Sequence, residues 1–364
     1  MSVRATGTFS GQHAADAQRV VRGAPYPWRR LVVGALAVVA IGIVASSQGA
    51  VWIPPLTVLE ILVSRLPLIE IAPGWPDSSE TILWQLRLPR IVLAGIVGLA
   101  LAFSGATYQG LFRNPLADPF LIGVASGAGL GAIIVLVTGV PLYFQGVSLL
   151  PMAAFVGAVL AVTAAYLIAR QSEGLPLTTL ILAGVAIASL TGAVTSLLML
   201  RGDPDLRPVL SWLLGGFISA QWKHSWMILP YLVPSLLLVM GYGRILNVFQ
   251  LDDEQAKQLG VNVERTKILL IGAATMSTAA AVSFSGLIGF VGLIAPHAVR
   301  LMWGADYRFL LPMAALVGAG FLILAALIAR TVVSPTELPV GVVTAFCGAP
   351  FFLYLLRRRK TVAM

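Results

Sequence analysis

Ile268–Val299 reads ILLIGAATMSTAAAVSFSGLIGFVGLIAPHAV and holds no Asp, Glu, Lys or Arg. Crossing ~30 Å of hydrocarbon takes about 20 apolar residues at 1.5 Å each. This run is too long for one crossing and short for two. The small-residue stretch Ser283-Phe284-Ser285-Gly286 therefore predicts a tight hairpin, with spans at 268–285 and 287–303 and a short second helix. Working outward, the same reading gives spans at 31–50, 91–111, 119–139, 149–169, 177–200, 225–243, 309–329 and 340–356. The expected fold is an all-α polytopic membrane protein of about ten transmembrane helices. Asp, Glu and Lys are absent from every span, and Arg enters only as Arg300, at the inner end of 287–303.

Composition agrees. The chain is 58% hydrophobic and 11% charged, against about 25% charged residues in soluble domains. Its 36 glycines and 22 prolines suit membrane helices, which tolerate both better than soluble ones. The net charge of +9 points to cytoplasmic loops, where Arg and Lys collect, rather than to nucleic acid. With both termini in the cytoplasm, seven of the 24 basic residues lie outside: Arg65, Arg87, Arg90, Arg201, Arg207, Lys223 and Arg330. Residues 1–30 read as a disordered basic tail, 31–356 as the membrane domain and 357–364 as a second basic cytoplasmic tail. The run from Leu31 is read as a retained first helix rather than a cleaved signal. Cys347 is the only cysteine, so no internal disulfide can form.

The charge-poor interior argues against several functions. Ion-coupled secondary transporters keep ionisable groups within the bilayer. An intramembrane enzyme needs paired catalytic groups there, and a passive channel needs polar filter rings. A phosphate-binding P-loop is missing, so ATP hydrolysis would belong to another chain. His13, His224 and His297 are too scattered in sequence to share a metal.

Function is concentrated between the spans. The inner loop Arg244–Lys267 reads RILNVFQLDDEQAKQLGVNVERTK. Asp252 is placed to cap a short helix, Asp253 and Glu254 suit its N-terminal end, and Gly260 suits the position past its C-terminus. Ala256 and Leu259 share a face at i, i+3 spacing and predict an apolar knob beneath the membrane. Three further motifs stand out. The first is Gly105-Ala106-x-x-Gln109, running into Arg113-Asn114-Pro115-Leu116-Ala117-Asp118-Pro119. The second is Gly286-x-Ile288-Gly289-Phe290-Val291-Gly292-Leu293-Ile294-x-Pro296-His297. The third is Glu337-Leu338-Pro339-Val340-Gly341, with Gly348-Ala349-Pro350 following. Gly286, Gly289 and Gly292 recur every third residue, which predicts a bare, closely packed flank on the eighth helix.

These four segments, in this order, resemble the permease subunits of type II ATP-binding-cassette importers for iron–siderophores, haem and vitamin B12. The resemblance covers about residues 30–358. It implies a multi-pass subunit of the bacterial cytoplasmic membrane that pairs with a second copy of itself, two ATPase subunits and an extracytoplasmic binding protein. No cofactor is expected in this chain, with ATP and Mg held by the ATPase. Residues 244–267 would be the coupling loop, with Asp252, Asp253, Glu254, Ala256, Leu259 and Gly260 meeting the ATPase. Arg87, Arg90 and Arg330 would pair with glutamates of the binding protein, although a helix-end arginine can equally snorkel to the interface. Leu177, Thr178 and Thr179 match the inner gate, and Thr178 could equally cap a helix. Residues 201–223 resemble a half-inserted helix. A bulky chelate, most often a ferric siderophore in this family, would pass between two copies.

Overall fold

A computed structural model describes residues 26–66, 73–140, 143–144, 147–171, 174–202 and 206–362. Most of the expected N-terminal tail lies outside the described residues. Among the described residues, seven helices are long and apolar enough to cross a membrane. They are α1 (Trp28–Ser47), α3 (Asp77–Leu111), α5 (Leu149–Ala169), α6 (Leu177–Gly202), α8 (Trp222–Gly241), α11 (Val263–Ser285) and α13 (Tyr307–Thr331). Shorter helices complete the chain: α2 (Pro55–Ser64), α4 (Val124–Val137), α7 (Leu206–Leu214), α9 (Gly243–Val248), α10 (Asp253–Gln258) and α12 (Val291–Trp303). The last helix, α14 (Val340–Val362), has its apolar part over Val340–Tyr354 and runs on through the basic segment read above as a tail.

The centre is built from α3, α11 and α13, with α12 against α3 and α13 and the α4–α5 pair flanking α11. Apolar burial drives little of this association, because lipid tails are as apolar as leucine. Close backbone approach takes over, and it requires small residues. A Cβ on Gly98 of α3 would lie 2.3 Å from the Gly318 carbonyl of α13. One on Gly105 would lie 1.9 Å from the Gly292 carbonyl of α12, and one on Gly127 of α4 would lie 2.3 Å from the Gly157 carbonyl of α5. The outer faces of α1 and α6 stay apolar and exposed, as at Leu36, Val39, Leu182, Leu190 and Leu197. Such faces suit lipid.

The chain breaks within Ile268–Val299 as expected, but the two helices do not close into a hairpin, because α12 packs on α3 and α13 rather than on α11. Gly286 and Gly289 are not helical, since α12 begins only at Val291. The eighth helix therefore has no three-glycine flank. Gly286 instead breaks the chain at φ 69°, against the Trp212 carbonyl of α7, and Phe290 takes a left-handed φ of 69°. Of the three glycines, only Gly286 and Gly292 make close contacts. Gly289 has open space.

Helix boundaries move as well. α3 starts well before residue 91, with a π segment at Ile82–Arg87, so Arg87 and Arg90 belong to the helix itself. α11 starts at Val263 because Asn262 caps it, accepting the Arg265 N–H at 3.1 Å. Glu264, Arg265 and Lys267 thus join the helix end and leave the loop.

Gly105→Ala should lower the melting temperature of the purified permease by several degrees, the mark of an overpacked core costing about 1–3 kcal/mol. Gly272→Ala in α11, where a Cβ meets nothing within 4 Å, should leave it unchanged or slightly raised. Equal effects of the two would contradict the packing account.

Candidate functional site

Charge gathers at two ends of the helix bundle. Arg90 lies in the first half of α3, just before its apolar stretch, and Arg113 just past its end, about 35 Å apart at 1.5 Å per residue. α13 repeats the pattern, with Asp306 and Arg308 at one end and Arg330 at the other.

At the arginine end, Arg87 and Arg330 hold down the end of α1. Arg87 donates to the carbonyls of Ser46 at 2.7 Å, Ser47 at 3.2 Å and Val51, and only 6% of the residue is exposed. Arg330 donates to the Ala45 carbonyl and is half-buried. These contacts satisfy carbonyls that the helix terminus leaves unpaired. Arg90 is more open. It pairs with Glu337 at 2.8 Å and donates to the Ile218 carbonyl at 3.1 Å. Of the three expected docking residues, Arg87 is enclosed in this conformation, while Arg90 and Arg330 border a cavity of about 600 Å³. Glu337, Phe217, Ser285 and Gly286 line the same cavity. Within 201–223 the short helix α7 covers Leu206–Leu214, and residues 203–205 lie outside the described residues.

Three sequence motifs meet in the middle and at the loop end. Gly105 and Gln109, one turn apart on α3, both address Gly292: Gln109 donates to its carbonyl at 3.3 Å. The Pro119 ring lies against the same glycine. Gln109 also accepts from Arg300 at 3.2 Å, and Arg300 donates to the Tyr307 hydroxyl at 3.3 Å. Asn114 turns the connection by accepting the Leu116 N–H at 3.0 Å. Pro115 lies half-buried in that turn, and Pro296 is buried within α12. His297 is buried and packs edge-on against Phe351. Among the described residues, no cluster of three His, Cys, Asp or Glu side chains could hold a metal.

The inner loop folds as α9 and α10. Past α10 the Gly260 N–H reaches the Lys257 carbonyl at 2.9 Å, and the Val261 N–H reaches that of Ala256 at 3.1 Å. These are the paired bonds of a Schellman terminus, with Gly260 at φ 81° as its sequence position implied. Two expectations fail here. Asp252 sits at the cap position but its side chain makes no capping bond. Ala256 and Leu259 form no common knob: Ala256 is fully buried and Leu259 is 64% exposed. A six-residue helix lying against α11 must turn one face inward, and alanine is the residue that fits. The exposed face carries Glu254, Lys257 and Leu259, with Leu251 beside it.

Asp253 is the electrostatic centre of this end. Its carboxylate meets Arg113 and, at 2.7 Å, Lys267, which is 5% exposed. Burial pushes its pKa up, but the Lys267 hydrogen bond and charge, with Arg113, outweigh that and hold it below the usual range. Arg113 reaches this position from a left-handed backbone (φ 49°) and also donates to the Phe249 carbonyl. Asp306 accepts from Asn247 at 2.7 Å and from Arg308, and its pKa falls to about 2, chiefly through the Arg308 hydrogen bond. Glu264, Lys267, Asp306 and Glu337 were missed as partners in the sequence. Asn262 followed by a Glu264–Lys267 pair at i, i+3 was the available signal for the first two. Leu177 and Thr179 are half-buried and Thr178 is exposed in the first turn of α6. Thr178 is therefore inside the helix rather than its cap.

Asp118 accepts the Phe120 N–H at 2.8 Å, while burial pushes its carboxyl up to about 6. The folded chain thus holds this proton more tightly than the unfolded chain, so ionisation costs stability as pH rises from about 4 to 6. Asp118→Asn keeps an acceptor without the charge. It should raise the melting temperature at pH 7 by a few degrees, with the gain shrinking steadily as the pH is lowered to 4. A gain independent of pH would contradict this assignment.

Comparison with known proteins identifies relatives over most of the chain. The family model of the FecCD transport family matches residues 36–358. The chain is 47% identical over 291 residues to the cobalamin import system permease protein BtuC of Halobacterium salinarum, covering 80% of this chain and 77% of that one. It is 42% identical over 297 residues to the hemin transport system permease protein HmuU of Yersinia pestis, covering 79% and 87%. A solved inward-facing structure, assigned to a metal-chelate type ABC transporter, superposes with a TM-score of 0.80 at 31% identity. That match covers 92% of this chain and all of the other.

Proposed function

The chain belongs to the FecCD transport family of ABC importer permeases, and from that premise we propose that it carries a metal chelate by ATP-driven alternating access between two copies. The supporting observation is the separation of its charge into two ends joined by charge-free helix middles. Such a path lacks ionisable groups to couple an ion gradient, so the driving force comes through the loop end from an ATPase. In this reading the loop end faces the cytoplasm, where the ATPase subunits bind ATP and Mg. The exposed Leu251 and Leu259, flanked by Glu254 and Lys257, form the surface that the ATPase covers. The arginine end receives an extracytoplasmic binding protein, with Arg90 and Arg330 as the accessible carboxylate partners.

An apolar groove between α7 and α14, lined by Leu213, Leu214, Leu287, Val342 and Phe346, supports pairing with a second copy. Phe346 is 78% exposed in the single chain and would be covered there. The first turn of α6, Leu177–Thr179, is the inner gate, its Leu177 making it more apolar than a hydroxyl-lined one. For the cargo, similarity to the Halobacterium salinarum permease favours cobalamin, with haem second on the Yersinia pestis relative. A ferric siderophore, the sequence expectation, rests on family frequency alone.

ATP-dependent uptake of labelled cobalamin, haem and a ferric siderophore into liposomes holding the full complex tests the reading. Uptake of one ligand names the cargo, and failure of all three with no retained ATPase refutes the importer assignment. Arg90→Glu should weaken binding-protein affinity about tenfold or more, some 1.4 kcal/mol, and should lower the melting temperature only modestly, because the Glu337 pair it disrupts is partly exposed. Arg87→Ala should lower the melting temperature more, because three carbonyls lose a charged donor. Leu259→Asp should abolish ATPase retention in a permease that still folds. Ala256→Asp would bury an unpaired carboxylate and prevent folding.

A further inference from the structure

Glu264 is the second residue of α11, where a carboxylate ordinarily serves its own helix terminus. Here it reaches across to another segment. Its Oε2 accepts the Leu175 N–H at 2.9 Å, two residues before α6 begins. Gly174 makes this approach possible. It adopts φ 126°, and a Cβ there would sit 2.7 Å from the Glu264 carboxylate. The other carboxylate oxygen lies 3.9 Å from Lys267, whose ammonium is almost fully buried and also binds Asp253. Asp253 in turn holds Arg113. Leaving a buried ammonium without a carboxylate is costly, so Lys267 favours keeping Asp253 and Glu264 beside it.

From this geometry we infer that Glu264 is a positioning residue that links the partner-facing helix α10 to the entrance of α6. A displacement of α10 reaches Leu177–Thr179 through Asp253, Lys267 and Glu264. The inference rests on the reading of α10 as the ATPase contact and of the α6 first turn as the gate. A contiguous chain of contacts establishes coupling only when both ends respond together.

The test uses the assembled complex in nanodiscs, with Cys347→Ser removing the native thiol and Thr178→Cys as reporter. Maleimide labelling of that cysteine is followed with and without MgATP and vanadate, beside the ATPase rate. The parent should label at a rate that changes severalfold on MgATP–vanadate addition. Glu264→Ala should keep hydrolysis near the parent rate and lose the labelling response. Glu264→Gln, which retains an acceptor for the Leu175 N–H, should preserve part of it. Gly174→Ala displaces the carboxylate from the opposite side and should reproduce the alanine result, which decides the matter if Glu264→Ala fails to assemble. A full response in Glu264→Ala, or in an assembled Gly174→Ala, overturns the link. An unresponsive parent overturns the gate assignment itself, and the link with it.

Discussion

The contact between Gly105 and the Gly292 carbonyl sets how the rest of this protein can be arranged. Two helices approach so closely there that no side chain fits between them. Within a bilayer such contact replaces the hydrophobic drive that assembles soluble cores. It seats α12 on α3 just after the chain has broken at Gly286–Phe290. The same glycine receives Gln109 and the Pro119 ring, so the turn after α3 is fixed by the same meeting point. Arg113 then emerges in the position from which it holds Asp253.

The bilayer imposes the second constraint. Charge is costly in the middle of a span, so it moves to the helix ends, and each end acquires its own architecture. At one end Arg87 and Arg330 satisfy carbonyls, and Arg90, Arg207 and Arg330 border a cavity. At the other, carboxylates and cations interlock across three connections that are far apart in sequence. Rigid helices with little polar content between these ends are well suited to carry motion from one to the other. Each end can also be tuned without disturbing the middle.

Much of this was legible in the chain. The spans at 149–169 and 177–200 were placed almost to the residue, because their apolar runs are bounded by charge or proline. Gly260 was identified by its turn chemistry. The errors have separate causes. Asn262, Glu264 and Lys267 looked like loop because they are polar, yet a polar turn at the membrane surface continues the helix when its charges find partners. The three-residue glycine spacing looked helical, yet Gly286 terminates a helix. Ala256 looked like part of an exposed knob because spacing does not reveal which face of a short helix is covered.

Sequence alone determined the membrane class, the absence of charge from the helix middles and the family motifs. These depend on composition and local order, which solvent and backbone chemistry read directly. Tertiary structure alone decided which arginines are enclosed, which face of α10 is free, and that Glu264 serves a segment 89 residues away. Those outcomes depend on distances between helices. Such distances follow from how closely glycine-lined backbones can approach, and no single segment contains that information.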